Sequence, residues 1–209
     1  IERWCAGRGV LSSGHVLLEE NLWGHIVSEG HALKCLKEMA LPGLDLLSSH
    51  PEGWNGRAAI PPPKLVSSAA HLAGRKQVMS ETSDYIERLR KTKVSEAEVR
   101  GTMNWQYVLG NNLITSYYSW QADPEAGSYF SWAPDSQAGY RGSPVEAMRA
   151  FNEYVARLGA MLTPGAHMCD MAVLYPAYSG WAHFAPSAKS LYERAFPAQF
   201  MRVSDTLDQ

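Results

Sequence analysis

The chain has 209 residues, of which 45% are hydrophobic and 19% charged, with a formal net charge of −2. That size suits one full core and the beginning of a second small domain, and the charge balance carries no basic excess for nucleic acid or an anionic membrane. Cys5, Cys35 and Cys169 are too few and too scattered for a disulfide framework or a CxxC metal site, so they read as buried small apolar groups.

No apolar run reaches the ~20 residues a membrane span requires. The chain opens on "IERWCAGRGV", with neither an initiator methionine nor a leader, and closes on "FMRVSDTLDQ", which reads as a helix cut off partway. The expectation is a piece of a longer polypeptide.

Residues 1–7 read as the end of a helix, with Gly7 and Gly9 suited to a left-handed turn after it. A strand is expected over 9–18, then a helix over 21–40 with Leu33 and Leu36 on its apolar stripe. "LPGLDLLSS" (41–49) leads into a short strand, and a loop rich in Gly and Pro fills 50–63. A helix over 64–74 stops at Gly74, and "KQVMS" (76–80) is a buried strand with Glu81 just past its end. Helices follow around 84–91 and 95–110.

"NNLITSYYSW" (111–120) is strand-like, and a long polar and aromatic loop runs to about 142. The clearest helix covers 143–162, with Ser143 as cap, Pro144 at the first position and Glu146 three after the cap. "HMCDMAVLYP" (167–176) reads as a fifth strand that opens something new. Strands alternating with helices imply parallel pairing and right-handed crossovers. Two architectures fit: a complete five-stranded open sheet, or part of an eight-stranded barrel.

Chemistry in parallel α/β folds collects at the carboxyl ends of strands. Those ends carry His15 with Glu19 and Glu20; Asp45 with Ser48, Ser49 and His50; Ser80 and Glu81; and Tyr117, Tyr118, Ser119 and Trp120. A nucleotide site wants a glycine-rich first turn, whereas "LLEENLW" is acidic and has no glycine. Carboxylates beside Trp and Tyr suit a neutral polyhydroxylated ligand, whose hydroxyls bind acids and whose C–H faces stack on rings.

Each residue also has a plainer reading. Glu81 could pair with Arg75 or Lys76, and one of Glu19 and Glu20 could stabilise a helix N-terminus. His15 could be a satisfied core histidine, Asp45 could bond neighbouring backbone, and Trp120 could be barrel packing. Ser67, Ser68 and His71 share one expected helix without a nucleophile elbow, and His15, His25 and His31 lack zinc spacing.

Three segments, "GRGVLSSGHVLLEENLWGHIVSEGHALKCLKEMALPGLDLLS", "KLVSSAAHLAGRKQVMSET" and "EYVARLGAMLTPGAHMCDMAVLYP", resemble the barrel of glycoside hydrolase family 106 α-L-rhamnosidases. They also resemble related bacterial glycosidases with (β/α)₈ barrels of the clan A type. The resemblance runs from about 1 to 176 and implies that 10–18, 43–48, 76–80 and 112–119 are barrel strands five to eight. The fold it implies is α/β: the C-terminal half of a TIM barrel over 1–165, followed at 166–209 by the start of a second α/β domain.

The resemblance further implies that Glu81 is catalytic and that His15 with Glu19 or Glu20 lies near the sugar. Asp45, Tyr118 and Trp120 would position the sugar or a metal. Active-site calcium, a carbohydrate substrate and a periplasmic or extracellular bacterial parent are implied as well. The general acid would precede residue 1, in the remainder of the parent polypeptide. Inversion or retention would follow from a carboxyl separation of roughly 6.5–9.5 Å or 5–5.5 Å. The competing readings are a non-catalytic carbohydrate-binding α/β module and, less favoured by the acidic first turn, a complete flavodoxin-like domain.

Overall fold

A computed structural model describes residues 1–20, 22–49, 62–83, 85–89, 95–117 and 144–183. Helix α1 (Glu2–Ala6) precedes strand β1 (Ser13–His15), helices α2 (Leu22–Ser28) and α3 (Ala32–Lys37), and strand β2 (Leu41–Leu46). Helix α4 (Pro62–Leu72) leads to β3 (Met79–Ser83), then α5 (Tyr85–Leu89), α6 (Glu96–Val108) and β4 (Leu113–Tyr117). Helices α7 (Pro144–Leu162) and α8 (Ala177–Ala182) follow.

The four strands form one all-parallel sheet in the order β1-β2-β3-β4. Sequential order has a consequence for the helices. Successive crossovers of one hand land on the same face when each strand is added to the same edge. Leu44 and Leu46 of β2, with Val78 just before β3, pack with Leu65, Val66, Ala69 and Ala70 of α4 and with Ala32 and Leu36 of α3. On the same face Gln106 of α6 donates to Thr82 Oγ1 at 3.1 Å, and Ile114 of β4 packs on Val99, Met103 and Phe151 of α6 and α7. All of these helices cover one side.

Alternation sends the intervening residues to the opposite face. Register aligns His15, Gly43, Met79 and Leu113 in one row and Asp45, Glu81 and Thr115 in the next. Gly43 makes this face workable. A Cβ there would lie 2.6 Å from both the Gly14 carbonyl oxygen and Met79 Cε, so its absence lets β1 and the Met79 side chain close over β2.

Several expected elements differ in extent. The strand expected over 9–18 pairs only at Ser13–His15, and the single helix over 21–40 is two, parted by Gly30 at φ +74. After α1, Gly9 takes the left-handed conformation (φ +69), whereas Gly7 is right-handed at φ −64. The third strand is shifted toward its C-terminal side, so Glu81 lies in its middle and not past its end. Gly74 (φ +67) does end the α4 segment, and Ser95 with Glu98 forms a reciprocal capping box at α6. Ser143, the expected cap of α7, lies outside the described residues.

The fifth strand is a correction. Residues 167–176 form no ladder with the sheet, and Met168, Met171, Val173 and Leu174 are exposed. An apolar alternation makes a strand only where a neighbour offers a free edge, and here the segment runs along the helix side. The complete five-stranded sheet, and with it the flavodoxin-like arrangement, has no fifth strand among the described residues. Cys169 is exposed as well, against the expectation of a buried thiol, while Cys5 and Cys35 are half-buried.

Replacing Gly43 by alanine forces its Cβ into the Gly14 backbone, which no rotamer change relieves. We expect Gly43→Ala to lower unfolding free energy by about 1–3 kcal/mol in urea titration. Gly14→Ala, whose Cβ meets nothing within 4 Å, serves as the near-neutral comparison.

Candidate functional site

The face that no described helix covers carries a compact set of titratable side chains. His15 Nε2 lies 3.3 Å from Glu81 Oε2, and His15 Nδ1 lies 3.8 Å from Glu19 Oε1. His15 Nδ1 also donates to the Val16 carbonyl oxygen at 2.8 Å. With that nitrogen committed as donor, the Nε2–carboxylate contact is attractive only when a proton lies between the two groups. Glu81 and His15 therefore form a close His–carboxylate pair on this face. Arg75, the competing partner for Glu81, instead lies 4.0 Å from Glu2.

Glu19 is buried, with 3% of its surface exposed, and its Oε1 accepts from the Asp45 backbone N–H at 3.2 Å. The reason lies in strand lengths. β1 ends at His15, opposite Gly43, so the β2 backbone two residues on has no ladder partner from β1. The Glu19 carboxyl takes that place. It does not cap a helix.

Burial is the largest influence on Glu19 and pushes its carboxyl up from 4.5 to about 9, with Glu20 and Asp45 adding repulsion. Asp45 is raised from 3.8 to about 6, first by burial and then by Glu81 and Glu20, against the opposing attraction of His15. One Asp45 oxygen, Oδ1, is buried without a hydrogen-bond partner. Two acids with raised proton affinity, Glu19 strongly and Asp45 less so, thus flank a His–carboxylate pair. Such divergence between neighbouring acids separates proton donors from acceptors.

The turn that presents Glu19 is held from outside the sheet. Leu18 adopts φ +61, an uncommon conformation for a branched residue. Leu17 N–H donates to Glu29 Oε1 at 2.9 Å, and the Glu19 carbonyl accepts from His25 Nε2 at 2.9 Å. Because that nitrogen must donate, and burial pulls His25 below its usual value, the neutral ring offers Nδ1 to the Tyr175 hydroxyl at 2.7 Å. Burial pushes Tyr175 up to about 12, so its proton stays to be donated. A residue 150 positions away in the chain supports the acidic turn.

Of the residues expected at the site, the sheet brings together His15, Glu19, Asp45 and Glu81. Glu20 is half-buried and adds its charge to Glu19 and Asp45. Ser48 and Ser49 do structural work: the buried Glu87 carboxylate accepts from Ser48 Oγ and from Ser49 N–H, and Thr102 donates to the Ser49 carbonyl. His50, Tyr118, Ser119 and Trp120 lie outside the described residues. Ser67 donates to the Leu109 carbonyl and Ser68 to the Lys64 carbonyl, so neither is set against a base as a nucleophile.

Sequence reasoning missed Thr115, which register places beside Glu81 on the same face, because a threonine inside a strand reads as a β-branched strand former. It also missed His25 and Tyr175 as supports, which alternation of apolar residues does not reveal. The calcium implied by the resemblance finds no suitable ligand set: among the described residues no group of three or more His, Cys, Asp or Glu could hold a metal ion. The clefts of about 430 and 440 Å³ at α1 and α4 do not include this cluster, which stands on an open sheet face.

Compared with known proteins, the chain matches no family model, no curated protein and no solved structure.

Two outcomes are expected from this geometry. Folded Glu19 keeps its proton where the unfolded chain has lost it, so its stabilising contribution is complete below about pH 4.5 and is lost as pH rises toward about 9. Glu19→Gln retains the acceptor for Asp45 N–H but cannot ionise. Its melting temperature should decline less than that of the parent between those limits. Tyr175→Phe leaves His25 Nδ1 buried and unpaired, and chemical denaturation should show a loss of about 1–2 kcal/mol.

Proposed function

We propose that this chain is the second half of a (β/α)₈ barrel of a glycoside hydrolase, with α-L-rhamnosides as the substrate class suggested by the resemblance. The observation that carries the reading is the His15–Glu81 pair at 3.3 Å, beside Asp45 and Glu19 on the face that no described helix covers. In a barrel that face is the interior, and side chains near the carboxyl ends of strands meet the substrate.

Glu81 is the general base in this reading. Its carboxylate, about a third exposed, takes a proton from water that attacks the anomeric carbon, and His15 orients it. If the reaction retains configuration, the same carboxylate is the nucleophile. Asp45, protonated up to about pH 6, donates a hydrogen bond to a sugar hydroxyl, and Glu20 lies at the edge of the same site. Tyr118 and Trp120 are assigned to stacking on the sugar. The general acid comes from the other half of the barrel, in the remainder of the parent polypeptide. Four further βα units would occupy the sheet edges at β1 and β4, each of which pairs on one side only among the described residues.

The test is hydrolysis of an aryl α-L-rhamnopyranoside by the polypeptide that contains the complete barrel. Glu81→Gln should lower kcat by about 10³-fold or more while KM shifts only a few-fold. The 209-residue chain alone should be inert. An unchanged kcat in Glu81→Gln overturns the assignment. Sugar affinity that survives Glu81→Gln but is abolished by Trp120→Ala, without turnover in either protein, would make this a carbohydrate-binding module.

A further inference from the structure

A second site lies on the opposite side of the molecule, independent of the glycosidase reading. A cleft of about 440 Å³ opens between α4 and the extended chain 167–175, within the usual size range for small-molecule pockets. Leu33, Leu65, Leu72 and Val173 give it an apolar lining. Three basic side chains stand at the same cleft. The rings of His71 and His167 stack with centroids 4.1 Å apart and planes 21° apart, and Lys64 Nζ donates to His167 Nε2 at 3.4 Å.

Among the described residues, no aspartate or glutamate lines this cleft. That is unusual for three gathered bases, since a structural role would normally supply a counter-charge. Burial first, and then His167 and Lys64, pull His71 below its usual value, so the His71 ring resists a proton as it stands. A bound anion supplies what is missing. It accepts from the Lys64 ammonium and from the imidazole N–H groups, and it offsets their mutual repulsion. None of these residues takes part in the sheet ladder or the strand-end cluster.

We propose that this cleft binds a small amphipathic anion, with its apolar body against Leu33, Leu65, Leu72 and Val173 and its carboxylate or sulfonate held by Lys64, His71 and His167. The apolar floor excludes inorganic phosphate as the preferred ligand, and the basic cluster favours an anion over a neutral molecule of the same shape.

Two fluorescent probes of similar size separate these contributions: anilinonaphthalene sulfonate, an anion, and phenylnaphthylamine, its neutral counterpart. With the full chain, the sulfonate should saturate a single site. Lys64→Gln and His71→Gln should each weaken it about tenfold while changing neutral-probe affinity less than about twofold. Both side chains lie at the surface of α4, and far-UV circular dichroism checks that the variants remain folded. Position is read from Cys169, which lines the cleft and is the exposed thiol, whereas Cys5 and Cys35 are half-buried. Saturating sulfonate should slow its alkylation by iodoacetamide. Sulfonate affinity unchanged in both variants, no saturable binding, tighter binding of the neutral probe, or unprotected Cys169 would each overturn the proposal.

Discussion

The arrangement rests on the burial of Leu44 and Leu46 beneath α4 and α3. Once those two side chains face the helices, the period of two in a strand sends Gly43 and Asp45 to the other side. Parallel register then carries the division across the sheet, placing Glu81 beside Asp45 and Thr115 beside Glu81. A slip of one residue in β2 would put Asp45 under the apolar face of α4 and turn leucines outward. The hydrophobic effect thus decides which face carries acids, although it acts on neither Asp45 nor Glu81 directly.

The second constraint is the shortness of β1. Its three residues end before β2 does, leaving backbone polar groups without a strand partner. Glu19 meets this need with a side chain, and the consequence is a carboxyl buried almost completely at the edge of an acidic cluster. A buried polar group is tolerated when it is hydrogen-bonded, and the ionised form is the one disfavoured by lost hydration. Glu29 and His25 hold the same turn, and Tyr175 fixes His25 from behind. The position of the acid is therefore tied to packing on the outer helices, well away from the open face.

Topology bears on ligand class as much as composition does. An open nucleotide-binding sheet has a reversal in strand order, and the crevice at that reversal receives the ligand. Among the described residues the order runs β1-β2-β3-β4 without reversal, with α3, α4, α6 and α7 packed on one face. The absence of glycine from the first turn and the acids that follow it point the same way. A face rich in carboxylates with a histidine is suited to hydroxyl-bearing molecules and to proton transfer. The basic cleft beside α4 has the opposite electrostatic character and lies behind the helix layer.

Much of this was legible in local patterns. Alternating helix and strand periods indicated a parallel α/β fold, and strand ends rich in His, Asp and Glu indicated where chemistry gathers. The residues singled out at 15, 19, 45 and 81 do meet in space. Local pattern was insufficient wherever a partner decided the outcome. Residues 167–176 have the composition of a strand but no ladder, since the segment lies along α4 and not beside an edge of the sheet. The frame of β3 moved because its limits depend on β2 and β4, and the contact of His25 with Tyr175 spans too much chain for any periodicity to show. Sequence alone determined the alternation of elements and the kinds of side chain at their ends, because those depend on neighbours a few residues apart. Only tertiary structure decided strand extent, the burial that raises the proton affinity of Glu19 and Asp45, and the side of the sheet that no described helix covers, because each is set by contacts between distant segments.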